Sequence, residues 1–297
     1  MNKQKNMATI LDGKKVARDI ENEIAGEVKE LTDKGFRPPH LVAVLVGEDG
    51  ASKTYVTGKM KACEVVGYRS SLIKFDESIS EEELFHVVDG LNEDKEVDGY
   101  IVQLPLPEHI SVEKVIDRIY PSKDVDGFTP ANFGKIDQEH HSLLPATPMG
   151  IIELLGRYNI ETKGKHCVVV GKSHIVGMPM GILLAGPGDA TVTICHIFTE
   201  NLEEHTRKAD ILVVAVGKPG LISGDMVKEG AVVVDVGTTR VPDSTKKKGF
   251  ALKGDVDFET VEPKASYITP VPGGVGPMTI ASLIMNTMIA YKKAVGV

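Results

Sequence analysis

Apolar residues along this chain follow two alternating patterns, one typical of helices and one of buried strands. From residue 12 to residue 34, Val16, Ile20, Ile24 and Val28 recur at helical spacing, so this stretch predicts an amphipathic helix. The continuous apolar run "HLVAVLVGE" follows it, and such a run is typical of a strand that is covered on both faces. The chain therefore starts as an alternation of helix and buried strand.

The alternation continues through the next 60 or so positions. After the helix that begins "SKTYVTGKMKA", "RSSLIKF" predicts a second strand. Ser80, followed by three glutamates, is typical of the N-cap and acidic first turn of a helix, which we expect to end near Asn92. "VDGYIVQLPLP" predicts a third strand that stops at its prolines. The order of these elements indicates a parallel sheet with crossover helices.

A second series of strands follows an irregular stretch from Tyr120 to Thr147 and a predicted helix from Pro148 to about Tyr158. Its buried runs are "HCVVVG", "ATVTICH", "ILVVAVG" and "AVVVDVG". The chain closes with "YITPVPGGVGPMT" and an amphipathic helix. The pattern predicts an α/β protein of two domains, each a mostly parallel sheet with flanking helices, the second of the doubly wound Rossmann type.

Composition and charge exclude several classes of function. The chain has 297 residues, of which 42% are apolar and 26% charged, enough for two ordinary domains. Its net charge of −8 argues against a nucleic-acid or membrane-surface partner. No apolar run is long enough to span a bilayer, and the first residues lack a signal-peptide pattern. Three scattered cysteines fit a reducing cytosol and no structural zinc. We expect a cytoplasmic protein without a metal site.

The stretch "VVVGKSHIVGMP" is a strand, a tight turn and the start of a helix. Gly171 and Gly177 bracket a loop whose amides can face a pyrophosphate at the N-terminus of the helix. The spacing is not GxGxxG, and any tight turn between a strand and a helix also uses glycines, so the loop alone leaves both interpretations open. Its position after the first of four buried strands favours the dinucleotide site.

The strand "ATVTICH" bears on which dinucleotide is bound. NAD sites usually carry a carboxylate at the end of the second strand, but this strand ends at Cys195 and His196, and the next acid is Glu200. Lys172 lies in the glycine loop. A cation without that carboxylate suits the 2′-phosphate of NADP, with NAD as the alternative. The simpler interpretation of Lys172 is a solvated lysine on a turn.

Tyr55 and Lys59 lie four residues apart and so share one face of a predicted helix. By spacing alone, such a lysine is a solvated surface residue and such a tyrosine packs as an amphipathic side chain. Gln103 lies at the carboxyl end of a predicted strand, where open α/β sheets bind ligands. Spacing alone does not decide whether these residues form a surface or a pocket.

Five motifs, in this order along the chain, resemble one enzyme family. They are "ASKTYVTGKMKACEVVGY", "GYIVQLPLP", "PSKDVDGF", "VVVGKSHIVGMP" and "PVPGGVGPMT". Together they resemble the methylenetetrahydrofolate dehydrogenase/cyclohydrolase family in its bacterial bifunctional form, over essentially the whole chain. The resemblance implies NADP-dependent oxidation of 5,10-methylenetetrahydrofolate to the methenyl form, hydrolysis of that form to 10-formyltetrahydrofolate, and a homodimer.

The resemblance also implies a domain organisation and a set of site residues. Residues 1–147 plus 275–297 would form the folate-binding catalytic domain, residues 148–274 the NAD(P)-binding domain, and folate would lie in a cleft between them. The implied catalytic residues are Lys59, Tyr55, Gln103 and Asp126. The implied folate-binding residues are Tyr55, Val56, Thr57, Gly58, Lys59, Val102, Gln103, Leu104, Asp126, Pro272, Gly273, Gly274, Val275, Gly276, Pro277, Met278, Thr279 and Ile280. The implied cofactor-binding residues are Gly171, Lys172, Ser173, Ile175, Val176, Gly177, Pro179, His196 and Thr238.

These implied roles fit the chemistry of the two reactions. Hydride transfer needs two carbons held close and aligned, whereas hydrolysis also needs a group that carries a proton. A lysine does so only when it is partly neutral, which burial beside a cationic substrate favours, and Gln103 could hold its amine by a hydrogen bond. The carboxylate of Asp126 would accept hydrogen bonds from the 2-amino group and ring N–H of the pterin. Asp124 would instead order its own loop.

The chain departs from the family pattern at the cofactor loop. The family usually has Arg where this chain has Lys172, many NADP-using members have Ser at the position of Ile197, and Ile-Asn is frequent where Thr238 and Thr239 stand. These departures bear on the preference for NADP over NAD. Two alternatives to a bifunctional enzyme are a dehydrogenase with weak or absent cyclohydrolase activity, and a folate-binding module without catalysis.

Overall fold

The computed structural model describes residues 7–137, 143–246 and 249–297. The strands in these ranges are β1 (Thr9–Ile10), β2 (His40–Val46), β3 (Arg69–Phe75), β4 (Gly99–Val102), β5 (His166–Val170), β6 (Thr191–Cys195), β7 (Ile211–Val214), β8 (Val232–Asp235), β9 (Thr239–Pro242), β10 (Phe250–Lys253) and β11 (Tyr267–Ile268). The α-helices are α1 (Gly13–Asp33), α2 (Gly50–Val66), α3 (Glu81–Glu93), α4 (Val112–Arg118), α5 (Pro130–Phe133), α6 (Ala146–Arg157), α7 (Gly177–Ala185), α8 (Leu202–Thr206), α9 (Phe258–Val261) and α10 (Val275–Val295). None of the helices described is long and apolar enough to cross a membrane.

Contacts within the chain divide it into two compact units. One unit combines the residues up to Val16 with Thr147–Thr279, and the other combines Ala17–Ala146 with Ile280–Val297. We call them the six-stranded unit and the three-stranded unit, after their parallel sheets. The residues up to Val16 group with the six-stranded unit because β1 pairs with β11, whereas the sequence-based boundary assigned them to the folate-binding domain.

The three-stranded unit contains a parallel sheet in the order β3-β2-β4. All seven residues of β2 are buried, as its continuous apolar run predicted for a central strand. Because β3 and β4 flank β2 on opposite sides, the chain leaves β2 and β4 at a topological switch point, where α/β sheets bind ligands. Helix α2 starts at this edge, and Gln103 follows β4 there.

The six-stranded unit contains a parallel sheet in the order β1-β11-β8-β7-β5-β6. Strands β7 and β8 are buried at every position, and their inward side chains, such as Leu212 and Val233, join Val168 of β5 in one apolar cluster. The strand order reverses between β5 and β7, so the carboxyl ends of these two strands form the switch point. The glycine loop leaves β5 at this point, which confirms the predicted doubly wound plan.

Most elements occur where the pattern of apolar residues predicted them. Helix α1 spans Gly13–Asp33, and Ser80 caps α3 in a capping box with Glu83. Helix α6 begins at Ala146, two residues before the predicted start. The stretch that we expected to be irregular contains the short helix α5, and its residues 138–142 lie outside the described ranges.

Candidate active site

Helix α2 is fixed at its start, and this places its polar side chains relative to the sheet. The carboxylate of Asp49 accepts a hydrogen bond from the amide of Ser52 at 2.6 Å, which caps the first turn. The hydroxyl of Ser52 in turn donates to the carbonyl of Leu104 at 3.4 Å. The helix ends at Gly67 in the left-handed conformation. The first turn of α2 is therefore tied to the segment that follows β4.

Lys59 is a buried lysine, not the solvated surface residue that its spacing alone would predict. It is 7% exposed, and its Nζ donates to Gln103 Oε1 at 3.2 Å, which is the hydrogen bond expected from the sequence. The amide group of Gln103 donates to the carbonyl of Leu104 at 2.7 Å, so its orientation is fixed. The carboxylate oxygen Oδ1 of Asp126 lies 4.0 Å from the same Nζ. The structure thus brings Lys59, Gln103 and Asp126 together.

Asp126 is a nearly buried carboxyl, with 14% of its side chain exposed. Burial raises its pKa, the ammonium of Lys59 opposes this effect, and the neighbouring Asp124 adds to it. Burial therefore makes the ionised form of Asp126 unfavourable. Hydrogen-bond donors of a ligand would offset this cost, because they stabilise the ionised form. This environment suits a residue that accepts hydrogen bonds from a polar substrate.

Asp124 orders the loop that carries Asp126, as we expected. Its carboxylate accepts hydrogen bonds from Gly127 N at 2.9 Å, from Thr129 N at 2.7 Å and from Asn132 Nδ2 at 3.0 Å. The side chain is buried, so these bonds replace the water that it would otherwise bind. The two acids of "KDVDGF" therefore have different surroundings.

Asn286 of α10 also holds this loop, and sequence reasoning missed it. Its Nδ2 donates to the carbonyls of Val125 and Leu144, both at 2.8 Å. The signal for this role is weak but present, because Asn286 is a fully buried amide in the otherwise apolar run "SLIMNTMIAY".

The other predicted folate residues of this unit differ in what they present. Tyr55 is 42% exposed and lies one turn before Lys59. Val56 and Val102 are buried core side chains, so only their backbone could contact a ligand. The hydroxyl of Thr57 donates back to the carbonyl of Lys53 at 2.7 Å. A Cβ on Gly58 would lie 3.3 Å from Ile280 Cδ1, so this glycine keeps α2 close to α10.

In the six-stranded unit, the glycine loop is tightly packed at both of its glycines. Gly171 has φ of 127°, and a Cβ there would overlap the carbonyl oxygen of Ala215 in the loop after β7. A Cβ on Gly177 would overlap the carbonyl of Gly171. The hydroxyl of Ser173 accepts from Val176 N at 3.2 Å, which sets the start of α7. This glycine-lined turn at a helix N-terminus suits a pyrophosphate.

The neighbouring end of β6 carries a cation and exposed apolar side chains. Lys172 Nζ lies 6.0 Å from the centroid of the Phe198 ring, and the His196 ring meets the same ring edge-on at 6.0 Å. Ile197 and Phe198 are 88% and 79% exposed. His196 N donates to Thr199 Oγ1 at 2.8 Å, so a hydroxyl rather than a carboxylate caps this strand. A cation at Lys172 and the lack of a carboxylate at the end of β6 suit a phosphorylated ribose.

The remaining cofactor residues of the prediction have distinct surroundings. Ile175 in the glycine loop is 40% exposed, whereas Pro179 is buried in the first turn of α7. Thr238 follows β8 at the carboxyl edge of the sheet, directly before Thr239, whose hydroxyl donates to Gly217 O at 3.4 Å. Pro179 therefore packs in the core, while Ile175 can reach a ligand.

The glycines of "PVPGGVGPMT" are explained in part by packing inside the six-stranded unit. A Cβ on Gly13 would overlap the carbonyl oxygen of Gly274, so the start of α1 touches this turn, and Lys14 N donates to Gly273 O at 3.1 Å. Thr279 and Thr147 share a hydroxyl hydrogen bond of 3.0 Å. Nothing lies within 4 Å of a Cβ placed on Gly276, so this position alone leaves open space.

Two family models match nearly the whole chain. Residues 11–126 match the catalytic domain of tetrahydrofolate dehydrogenase/cyclohydrolase. Residues 145–295 match the NAD(P)-binding domain of the same enzyme.

Individual relatives match over the same extent. A bifunctional protein FolD of Bacteroides fragilis is 57% identical over 290 residues, which are 97% of this chain and 99% of that protein. The crystal structure of the bifunctional FolD methylenetetrahydrofolate dehydrogenase/cyclohydrolase of Campylobacter jejuni has a TM-score of 0.91 and 46% identity, over 96% of this chain and 99% of that one. The Trypanosoma brucei FolD structure, complexed with NADP cofactor and inhibitor, has a TM-score of 0.94 and 39% identity, over 98% and 99%.

Proposed function

This chain belongs to the tetrahydrofolate dehydrogenase/cyclohydrolase family, and from that premise we infer that it is a bifunctional enzyme of folate one-carbon metabolism. It oxidises 5,10-methylenetetrahydrofolate to 5,10-methenyltetrahydrofolate with NADP and hydrolyses that product to 10-formyltetrahydrofolate. In this proposal, residues 1–147 with 275–297 bind folate and residues 148–274 bind the cofactor.

The cluster of Lys59, Gln103 and Asp126 is the observation that carries this proposal. A solvated surface lysine would not be 7% exposed and lie 4.0 Å from a carboxyl whose side chain is only 14% exposed. Asp126 accepts hydrogen bonds from the 2-amino group and ring N–H of the pterin, which positions the substrate for both reactions. Tyr55 offers an exposed aromatic face and a phenol to the same substrate.

Lys59 acts in the hydrolysis. A water molecule attacks the cationic methenyl carbon, and its proton must be removed before a ring nitrogen is protonated and leaves. The amine of Lys59 takes up that proton and returns it, while Gln103 holds the amine in place through its 3.2 Å hydrogen bond. Oxidation needs no such proton carrier at the protein, because NADP, when bound, accepts a hydride.

The cofactor is proposed to bind at the switch point of the six-stranded unit. The turn at Gly171 and Gly177 admits the pyrophosphate at the start of α7. Lys172 meets the 2′-phosphate, because β6 ends without the carboxylate that would select a free ribose. Ser173, Ile175, Val176, His196 and Thr238 complete the proposed cofactor site.

A two-step absorbance assay tests the proposed function. The purified chain is given methylenetetrahydrofolate with NADP or NAD, and the methenyl product is followed as it forms and then decays. We expect formation that depends on the cofactor and decay that does not. Formation without accelerated decay would favour the dehydrogenase alternative, and substrate binding without turnover would favour a binding module.

We also propose a cytoplasmic homodimer joined through the cofactor-binding domain. Symmetric dimers are the commonest oligomers, and the family resemblance implies one here. The three described cysteines are buried and unpaired, which is consistent with a reducing compartment.

A further inference from the structure

Two buried carboxyl groups lie behind the loops at the carboxyl edge of the six-stranded sheet, and the proposed chemistry uses neither. Asp235 is the last residue of β8 and is 4% exposed. Asp255 follows β10 and is 0% exposed. Acidic side chains are almost never fully buried unless they have partners that justify the cost. Their hydrogen bonds show what each one holds.

Asp235 holds the backbone around the second acid. Its Oδ1 accepts from Asp255 N and its Oδ2 from Val256 N, each at 2.9 Å, and Oδ1 also accepts from Gly237 N at 2.9 Å. Burial, with a smaller contribution from the charge of Asp255, raises the pKa of Asp235 to about 6, although these three amide donors oppose the rise. The two carboxyl groups are thus close enough to influence one another.

Asp255 in turn holds the loop that follows β7. Its Oδ2 accepts from Val216 N at 2.7 Å and from Gly217 N at 3.0 Å. Its Oδ1 has no hydrogen-bond partner among the described residues. The carboxyl packs directly against Gly237, where a Cβ would overlap it. One carboxylate therefore sets the path of two consecutive amides in that loop.

This loop forms one wall of the switch point. The carbonyl oxygen of Ala215 lies so close to Gly171 that only glycine fits there. The loop after β7 therefore touches the glycine loop after β5 at the crevice in which such sheets bind their ligands. A shift of Val216 and Gly217 would change the surface that this crevice presents to a ligand.

We propose that Asp255 is a positioning residue for the cofactor, acting through the backbone of residues 215–217, with Asp235 holding Asp255 in place. The proposal rests on the proposed function, since it assumes that the dinucleotide occupies this crevice. It predicts that loss of the Asp255 charge weakens NADP binding and leaves the hydrolysis of methenyltetrahydrofolate intact, because that reaction needs no dinucleotide. A carboxyl that served stability alone would affect both activities through the fraction of folded protein.

The test compares Asp255→Asn with wild type in both reactions. Asparagine keeps the size and one acceptor oxygen, but it loses the charge and places an NH₂ group where Oδ1 finds no partner. Charge-assisted hydrogen bonds contribute enough for a loss of roughly ten-fold or more in cofactor affinity. We expect KM for NADP to rise by about that factor, with cyclohydrolase kcat and KM within about two-fold of wild type. An unchanged KM for NADP, or an equal loss of both activities, would overturn the proposal.

Asp210→Asn is the matched control. Asp210 lies at the opposite edge of the sheet, directly before β7, where its carboxylate accepts from His166 N at 2.9 Å and from Lys228 Nζ at 2.6 Å. The Asp210→Asn variant therefore loses a comparable pair of charge-assisted hydrogen bonds, but at the other end of the strands from the crevice. We expect it to lower thermal stability and leave KM for NADP unchanged. A rise in KM equal to that of Asp255→Asn would show that any loss of stability has this effect and would overturn the proposal.

Two further measurements cover the case in which Asp255→Asn does not fold. Asp255→Glu keeps the charge and moves the acceptor by one carbon, so it should show the same division between the two activities. In the wild type, NADP should slow hydrogen exchange of the Val216 and Gly217 amides. No change in that exchange with NADP bound would contradict the proposal. Wild-type protein with neither activity would instead refute the proposed function, so the two failures are distinguishable.

Discussion

At the scale of single residues, the surroundings of Lys59 separate the two proposed reactions. Lys59→Met keeps the length of the side chain and removes the amine that Gln103 holds. We expect cyclohydrolase activity to fall by at least about a hundred-fold, because proton transfer by a positioned group contributes that much, while part of the dehydrogenase activity survives. Both rates are measured on the same preparation by absorbance.

Lys61→Met provides the control for that experiment. Lys61 lies on the same helix but is exposed to solvent, so its replacement should leave both activities near the wild-type values. If Lys59→Met, correctly folded, lost both activities to the same extent, the assignment of Lys59 to the hydrolysis alone would be wrong.

The ionised carboxylate of Asp126 is expected to lower the free energy of unfolding, while it serves substrate binding. Burial raises its pKa, so the folded protein disfavours the ionised form, and this cost is fully present above the raised pKa and absent below the ordinary value of a carboxyl group. Asp126→Asn should therefore raise the stability of the free protein at pH 7, lose that gain as the pH falls, and impair both activities. Urea denaturation at several pH values and the two rate assays measure these effects.

Asp124→Asn is the contrasting variant. Its carboxylate accepts three hydrogen bonds inside the loop, so its replacement should lower stability at pH 7 by about 1–3 kcal/mol. Normal rates and normal folate affinity in Asp126→Asn would refute the role of Asp126 in holding the pterin.

Lys172 is expected to give a modest preference for NADP. A lysine contacts a phosphate as a point charge, without the two-pronged bond that arginine forms, and Ile197 offers no hydroxyl to help it. One such contact contributes roughly 1.5–3 kcal/mol, or about one to two powers of ten in specificity. Lys172→Ala should lower kcat/KM for NADP by that factor and leave NAD nearly unchanged. A wild type that prefers NAD, or an equal loss for both cofactors, would contradict this assignment.

At the scale of elements, the start of α2 couples helix stability to the site. The cap that Asp49 forms on Ser52 N fixes the first turn, one turn before Tyr55 and two before Lys59. Asp49→Ala should cost about 1 kcal/mol of stability and lower the cyclohydrolase rate by several-fold, because small displacements of a positioned group are costly in rate. Chemical denaturation and the methenyl decay assay measure both effects.

Ser80→Ala makes the same kind of change on a helix without site residues. Ser80 caps α3 through its bond from Glu83 N at 3.2 Å, so a similar loss of stability is expected with normal activity. If the two variants changed activity equally, the cap of α2 would have no special link to the site.

Elements with a clear pattern of apolar residues could be predicted from the sequence, and elements without one could not. β2 and β7 lie in continuous apolar runs, and α1 repeats its apolar face over 21 residues, so each could be recognised. β1 and β11 contain two residues each, too few to show any period, and are strands only because each finds a partner. The antiparallel pair of β9 and β10 was not predicted either, since its residues are exposed or only partly buried and form no continuous apolar run.

At the scale of the whole molecule, some residues of the candidate site could be predicted from the sequence and others could not. Lys59, Gln103 and Asp126 could be singled out because motifs surround them, and the structure brings them together. Asp255 and Asn286 could not, because what they hold is backbone distant in sequence: Asn286 Nδ2 bonds carbonyls of the loop around Asp126. Hydrogen bonds from a side chain to distant backbone leave at most a weak local signal, such as the single amide of Asn286 in a mostly apolar run.

A dimer is the prediction that concerns the assembled molecule. Light scattering at micromolar concentration should give twice the 32.0 kDa of one chain. The family resemblance and the general preference for symmetric dimers both motivate this expectation. A mass of 32.0 kDa under the same conditions would refute it.

The three-stranded unit is built from two segments that are far apart in sequence, and this has a consequence for its synthesis on the ribosome. The three-stranded unit begins early, but its Asn286 anchor and the rest of α10 emerge only after most of the six-stranded unit, about 130 residues later. At synthesis rates of roughly 5–20 residues per second, that is a delay on the order of ten seconds. On a nascent chain, the carbonyls of Val125 and Leu144 therefore lack their hydrogen bonds from Asn286 during this time, so the loop around Asp126 is completed only when synthesis ends.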